Sequence, residues 1–227
     1  MRKTTSSGPG ARRLLITAFG RFDGGWNCSE ALLSRLRAER DELQSLWGGP
    51  VAFALLPVRA ATAEAELARA LATARPTHVL LTGQAAGRDA LSFERVARNR
   101  VHIAVADAYG RVGTIGPVRA GGPTERLSNW PDLPGLVGAL ADAGLPARLS
   151  DDAGSHLCNQ TLYLALEAAE TAKPPFVSTF LHLPLLPEQV AERLPAAARH
   201  AQCFAMPIEE MARAVRLVLV HTGQTTA

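Results

Sequence analysis

Cysteine is scarce in this sequence, and its pattern excludes two classes of protein. Cys28, Cys158 and Cys203 are the three cysteines among 227 residues, and they lie far apart. No pair has the CxxC spacing of a structural zinc site, and an odd, scattered set does not make a disulfide framework. We therefore expect a reducing, cytoplasmic environment.

Long apolar runs and clusters of like charge are absent too. No run approaches the roughly 20 apolar residues of a membrane-spanning helix, and the basic amino terminus lacks the apolar segment of a signal peptide. Lysine and arginine exceed aspartate and glutamate by 24 to 21, and the basic residues are scattered singly. We expect no membrane and no nucleic acid among the partners.

The sequence does contain enough apolar material for one well-buried core. Hydrophobic residues make up 47% of its 227 residues, which predicts one domain. We place this domain at 13–223, after a disordered extension at 1–12. Apolar β-prone runs alternate with helical patterns, which is typical of a mainly parallel sheet. Predicted strands lie at 14–19, 51–56, 78–82, 147–149 and 176–183. Predicted helices lie at 29–46, with Ser29 as the N-cap, at 62–74 and 133–143, after Ser155, after Pro187 and after Pro207.

Two segments depart from this alternation of strands and helices. Between 91 and 105, apolar and polar residues alternate, which predicts an antiparallel hairpin or an excursion at the edge of the sheet. Residues 107–132 are rich in glycine, proline and arginine and have little periodicity. This second segment predicts a long loop.

The residues around Cys158 predict a reactive thiol. Gly154 and Ser155 interrupt an extended run, Ser155 is a suitable N-cap, and apolar residues then recur at helical spacing. Cys158 is therefore expected close to the amino end of a helix, where unpaired N–H groups and the helix dipole stabilise a thiolate. The alternative is a small buried hydrophobic residue, which is a common role of free cysteine.

A cysteine nucleophile needs a base, and His182 is the best placed of the six histidines. It stands near the carboxyl end of the strand predicted at 176–183, at the sheet edge where the helix of Cys158 begins. His156 is closer in sequence, but two positions along a helix predict a different face. The alternative for His182 is ordinary hydrogen bonding.

Glu94 is a candidate for the third member of such a group. It lies on an alternating, otherwise apolar segment, where a buried carboxylate needs a partner. It can orient an imidazole and stabilise the protonated form of the ring. A plain ion pair with Arg95 or Arg98 is the competing interpretation.

Two loops that follow predicted strands are candidates for binding a ligand. Phe19 and Phe22 leave the first strand three residues apart and can face each other across a flat ligand, although both can also fill the core. Gln84 lies in the glycine-containing loop 83–87, at the carboxyl end of another strand. Open α/β sheets bind ligands at such strand ends.

Four blocks of sequence resemble pyroglutamyl peptidase I, the pyrrolidone-carboxylate peptidase family of cysteine peptidases. Residues 18–24 (Ala-Phe-Gly-Arg-Phe-Asp-Gly) are similar to the family motif Gly-Phe-x-x-Phe-Gly-Gly. Residues 83–88 (Gly-Gln-Ala-Ala-Gly-Arg), together with residues 94–99 (Glu-Arg-Val-Ala-Arg-Asn), are similar to a second family motif. Residues 152–159 (Asp-Ala-Gly-Ser-His-Leu-Cys-Asn) resemble the nucleophile block. Residues 180–189 (Phe-Leu-His-Leu-Pro-Leu-Leu-Pro-Glu-Gln) resemble the histidine block.

The resemblance implies a fold, a reaction and a role for each candidate residue. The implied fold is a single-domain, three-layer α/β/α sandwich with a mainly parallel sheet and an antiparallel excursion, in a homo-oligomer, either a tetramer or a dimer. The implied reaction is removal of an amino-terminal pyroglutamyl residue from peptides through a thioacyl intermediate, without metal or cofactor. Cys158 would be the nucleophile, His182 the base and Glu94 its orienting group, with Phe19, Phe22 and Gln84 binding the ring.

The chain also departs from the family pattern. Ala18, Asp23 and Ala86 replace glycines, which can narrow the pocket or shift its loops. Ala104 stands where the family carries an arginine, so we expect slow turnover. A divergent member with altered substrate or little activity, which binds peptide amino termini, is therefore the alternative. A phosphate-binding domain is a weaker one, because the glycines of 83–87 lack GxGxxG spacing.

Overall fold

The computed structural model describes residues 12–22, 25–103 and 115–225, which form ten strands and eight helices. The strands are β1 (Leu14–Phe19), β2 (Val51–Leu56), β3 (His78–Gln84), β4 (Leu91–Glu94), β5 (Val96–Arg98), β6 (Val101–His102), β7 (Ile115–Gly116), β8 (Glu125–Leu127), β9 (Ala147–Ser150) and β10 (Val177–Leu183). The helices are α1 (Cys28–Ala38), α2 (Arg40–Trp47), α3 (Ala60–Ala74), α4 (Leu133–Asp142), α5 (Leu157–Thr171), α6 (Pro187–Ala191), α7 (Pro195–Ala198) and α8 (Ile208–Thr225).

Six strands form one mixed sheet in the order β2-β1-β3-β10-β4-β9. Every neighbouring pair is parallel except β10 and β4, which are antiparallel. Since parallel strands end at the same edge of a sheet, the carboxyl ends of β1, β3 and β10 lie together. That edge carries the residues described in the next subsection.

Helices cover both faces of the sheet because the central strands are apolar on both sides. In β1, Leu14 and Ile16 face one core and Leu15 the other, as the period of two along a strand requires. Leucines and valines of α1, α2, α4 and α8 fill the first core. Helices α3 and α5 cover the second core. The result is the expected single-domain α/β/α sandwich. Within the described residues, no helix is long and apolar enough to cross a membrane.

The helix predicted at 29–46 is two helices. Asn27, not Ser29, is the N-cap of α1, because the Asn27 side chain accepts a hydrogen bond from the Ser29 N–H at 2.9 Å. The Ser29 hydroxyl instead donates to the carbonyl of Phe19 and accepts from its N–H, and so joins the helix to β1. Glu39 separates α1 from α2 with φ −97° and ψ 16°.

The segment after β3 differs most from its prediction. Strand β4 is antiparallel to β10 as the alternation indicated, but it lies inside the sheet with β9 beyond it. The loop predicted at 107–132 contains β7 and β8, which pair with β6 and β5 in two small ribbons. Long-range pairing of two- and three-residue strands leaves no periodicity for sequence analysis to detect. Asp23, Ala104, residues 1–11 of the extension predicted at 1–12 and residues 107–114 of the predicted loop lie outside the described residues.

The burial of β3 predicts that shortening one of its side chains lowers the stability of the fold. Leu80 is fully buried at the centre of β3, so Leu80→Ala should lower the free energy of unfolding by about 2–5 kcal/mol through lost burial and a residual cavity. Leu46 on α2 is 37% exposed, and Leu46→Ala should cost about 0.5 kcal/mol. Urea denaturation of both variants measures the difference, and equal destabilisation would contradict this account of the core.

Candidate active site

Cys158 is the second residue of α5, within the first turn, where backbone N–H groups have no partner inside the helix. Gly154 has φ +77°, a left-handed conformation that suits glycine and lets the chain turn into the helix. The predicted cap is shifted by one residue, because His156 is the N-cap and the Ser155 hydroxyl donates to the carbonyl of His102. The thiol therefore lies at the positive end of the helix dipole.

The Cys158 sulfur rests against Gly83 of β3. A Cβ atom built on Gly83 would lie 3.1 Å from this sulfur and 2.7 Å from the Phe180 ring. A side chain at 83 would therefore displace the thiol or the ring. In the parallel register of β3 and β10, Gly83 is the direct partner of His182. The missing side chain thus lets the thiol approach the strand that carries the imidazole.

His182 and Glu94 form a buried hydrogen-bonded pair. Glu94 lies opposite Phe180 in the antiparallel register, so its side chain shares a face with His182 two residues further on. His182 Nδ1 lies 2.7 Å from Glu94 Oε1, which leaves Nε2 as the ring atom for the thiol. Burial lowers the pKa of His182, but the charge and hydrogen bond of Cys158, together with Glu94, outweigh it and raise this pKa above its ordinary value.

Arg88 is a further member of this group that sequence reasoning missed. Its guanidinium donates to Glu94 Oε1 at 2.9 Å, to the carbonyl of Asp152 at 2.6 Å and to the Ser150 hydroxyl at 3.1 Å. Neither Arg95 nor Arg98 pairs with Glu94; Arg95 binds Asp151 instead. The signal was present, since Arg88 ends the 83–88 block. Arg88 connects the buried carboxylate to the chain leading into α5.

A cavity of about 180 Å³ opens beside the thiol. Phe19, Phe22, Gln84 and Cys158, all candidates from the sequence, line this cavity together with Asn27, Val58, His156 and Leu157. Its walls are mostly apolar. Because Phe19 and Gln84 end β1 and β3, they reach the cavity from the sheet edge where the parallel strands terminate. Asn27, Val58 and Leu157 had no distinguishing signal in the sequence.

His156 lies in the cavity wall, although sequence reasoning placed it on a different helix face from Cys158. The prediction failed because His156 precedes the helix, with extended backbone angles of φ −91° and ψ −161°. Its ring packs against Phe22 with a centroid separation of 5.2 Å. The helical rule that separates residues two positions apart does not apply to an N-cap.

The other two cysteines lie in different settings. Cys28 is fully buried, burial raises the pKa of its thiol, and its sulfur contacts the carbonyl of Pro184 at 3.3 Å. Cys203 contacts the carbonyl of Ala197 in a separate small cluster. Across 12–22, 25–103 and 115–225, no three histidine, cysteine or acidic side chains are placed to hold a metal ion. Of the three cysteines, Cys158 is the one that lines the cavity.

An α/β/α sandwich with a helix-terminal thiol beside an imidazole–carboxylate pair defines the class of cysteine hydrolases. Comparison with known proteins narrows the class. A sequence model of the family described as pyroglutamyl peptidase matches residues 12–224. The chain belongs to the pyroglutamyl peptidase family.

Individual relatives support the assignment along nearly the whole chain. The pyrrolidone-carboxylate peptidase of Pyrococcus furiosus is 29% identical over 91% of this chain and 98% of its own. That of Erwinia tasmaniensis is 32% identical over 92% of this chain and 94% of its own. A crystal structure of a mutant pyrrolidone carboxyl peptidase from P. furiosus superposes with a TM-score of 0.82 at 28% identity, covering 93% of this chain and 97% of that one.

Removal of the two charged groups near His182, Glu94 and Arg88, should change the pKa of His182 in opposite directions. Glu94→Gln should lower the pKa of His182, because a carboxylate stabilises the protonated ring. Arg88→Met should raise it, because the cation both repels the imidazolium and shares the carboxylate. NMR titration of the His182 ring measures both shifts, and Glu209→Gln, at an exposed position of α8, is the control. Shifts in the same direction in both variants would contradict this electrostatic arrangement.

Proposed function

We propose that this chain is a cysteine exopeptidase that hydrolyses the amino-terminal pyroglutamyl residue of peptides. One observation carries the proposal: the Cys158 thiol lies against Gly83, the register partner of His182, at the wall of a small apolar cavity. In this proposal Cys158 is the nucleophile, His182 the general base and acid, and Glu94 the group that orients the imidazole. Family membership supports the same reaction.

The proposed reaction proceeds through a thioacyl intermediate. The Cys158 thiolate attacks the pyroglutamyl carbonyl carbon, and the electron pair of the carbonyl moves onto oxygen, where N–H groups at the start of α5 stabilise it. His182 then gives its proton to the nitrogen of the leaving peptide as the carbon–nitrogen bond breaks. Water, deprotonated by His182, attacks the thioester, and the thiolate leaves with release of pyroglutamate.

The cavity supports a small, uncharged ring as the acyl group. Its volume of about 180 Å³ is below the roughly 300–1,000 Å³ of typical drug-sized pockets, so it suits one terminal residue. Phe19 and Phe22 provide aromatic wall for a flat lactam. Gln84 adds a carboxamide that can pair with the ring amide. A charged terminal amine would lose hydration here without a compensating carboxylate in the wall.

Two of the residues that depart from the family pattern, Ala18 and Ala86, do not line the cavity. Ala18 is fully buried in the core that α1 and α8 cover, on the opposite side of the sheet from the cavity. Ala86 packs near Leu185 in a separate cluster, and neither alanine lines the cavity. The alternative of a divergent, weakly active binder of peptide amino termini therefore rests on Ala104 and Asp23, outside the described residues.

We further propose that the chain acts in the cytoplasm as a homo-oligomer, either a dimer or a tetramer. A reducing compartment keeps the Cys158 thiol available for catalysis. Two large apolar side chains, Ile115 and Leu127, are 72% and 66% exposed on the two small ribbons. Burial of these side chains against other copies would remove them from water.

Cys158 should be the essential thiol. Cys158→Ser should lower kcat/KM for a pyroglutamyl fluorogenic amide at least about 10³-fold, since a hydroxyl at this site is a far weaker nucleophile. Cys203→Ser is the matched control and should retain activity, because Cys203 lies in a separate cluster away from the cavity. Near wild-type turnover by Cys158→Ser would refute the assignment.

The cavity should reject proline at the amino terminus. Proline has a ring of the same size but lacks the ring carbonyl and carries a charged amine, which leaves polar groups of the site unpaired and requires desolvation. We expect kcat/KM for a prolyl amide about 10⁴-fold below that for the pyroglutamyl amide. Side-by-side assays with the same leaving group measure the ratio. Comparable rates would overturn the proposed ring recognition.

A further inference from the structure

The orientation of the Gln84 side chain decides what kind of polar group the cavity can recognise. A carboxamide presents an acceptor oxygen on one side and an NH₂ donor on the other. Gln84 ends β3 and lines the cavity. If its NH₂ faces the cavity, the site selects a ligand acceptor such as a carbonyl; if its oxygen does, the site selects a donor.

Two protein donors hold the oxygen of Gln84. The backbone N–H of Cys28 donates to Gln84 Oε1 at 3.0 Å, and the Gln189 side chain donates to the same oxygen at 2.8 Å. A backbone N–H can only donate, so the Gln84 atom facing it must be the oxygen. Within the described part of the chain, Gln84 Nε2 has no hydrogen-bond partner. The NH₂ group is therefore available to a ligand.

Gln189 is itself unable to rotate its amide without loss. It is fully buried in α6, where its oxygen accepts from the Leu186 N–H at 2.9 Å. Its NH₂ donates to the Trp26 carbonyl at 2.9 Å and to Gln84 Oε1. A flip would place NH₂ against an N–H donor and oxygen against two acceptors, three unfavourable contacts in a buried place. The Gln189 amide therefore acts together with the Cys28 N–H to hold the oxygen of Gln84 away from the cavity.

We infer that Gln189 is a positioning residue for substrate recognition: it holds the Gln84 carboxamide so that its NH₂ donates to the ring carbonyl oxygen of the pyroglutamyl group. The inference rests on the proposed function and extends it to a residue outside the cavity wall. Gln189 does not touch the ring. Together, the Gln189 NH₂ and the Cys28 N–H explain how the Gln84 amide, which has no intrinsic preference for either orientation, presents only a donor to the cavity.

The test is Gln189→Glu, which keeps the side-chain size and the acceptor for the Leu186 N–H but removes the NH₂. The Gln84 carboxamide should then turn its NH₂ toward the new carboxylate, because a charge-assisted hydrogen bond outweighs the neutral one from the Cys28 N–H. Its oxygen would then face the cavity and oppose the lactam carbonyl. KM for the pyroglutamyl amide should rise about ten- to hundredfold, because a hydrogen bond is replaced by an acceptor–acceptor contact. kcat should change less than about threefold, because the reacting groups are untouched.

A second variant separates loss of the donor from the introduction of a buried charge. Gln189→Met has no donor, acceptor or charge, so it releases Gln84 without inverting it, and KM should rise less than in Gln189→Glu. Gln202→Glu, at an exposed position, makes the same isosteric change away from the site and should leave KM unchanged. The rate of Cys158 alkylation by iodoacetamide, without substrate, should match wild type in all three variants.

Each outcome has a distinct meaning. A rise in KM in the order Gln189→Glu above Gln189→Met above wild type, with kcat and alkylation preserved, supports the inference. Unchanged KM in both variants overturns it while the proposed function stands. Equal losses in kcat and KM with slower alkylation and a lower melting temperature overturn it in favour of a purely structural role. A wild-type protein that fails to turn over the pyroglutamyl amide refutes the proposed function itself.

Discussion

The buried carboxylate of Glu94 is the constraint on which the site depends. It is fully excluded from water, and an isolated charge there would be too costly to maintain. His182 and Arg88 compensate it, and both bind the same oxygen. This requirement links three segments, because β4 must pair with β10 and the guanidinium must also reach the chain before α5. The single antiparallel pairing in the sheet is what brings carboxylate and imidazole onto one face.

Around that pair, the thiol and the cavity are positioned by close packing. The Cys158 sulfur occupies the space that a side chain at Gly83 would take, so the approach of α5 to β3 depends on one missing Cβ. The buried hydrogen bonds of Gln189 constrain the neighbouring residue of β3, Gln84, which also lines the cavity. These contacts constrain the Cys158 thiol and the Gln84 amide, which favours pre-organised binding.

Sequence patterns predicted the sheet well and the helix termini and short ribbons less well. The strands at 14–19 and 51–56 match the structure residue for residue, because short apolar runs of β-prone residues are a local signal for a strand. Ser29 and Ser155 were placed as caps one or two residues away from Asn27 and His156, because a cap depends on backbone geometry that several polar residues can adopt. The ribbons depend on pairing between distant residues, which composition does not encode.

The sequence by itself determined the class of fold, the family and the six candidate residues, since alternating strands and helices and four motif blocks are local features of the chain. Tertiary structure alone decided which of their possible partners these residues meet. Glu94 pairs with Arg88 and not with its neighbours Arg95 and Arg98, His156 lines the cavity, and Gln189 donates a hydrogen bond to the amide oxygen of Gln84. The physical reason is that burial, charge compensation and hydrogen-bond geometry depend on distances between residues far apart in sequence, which the chain acquires only on folding.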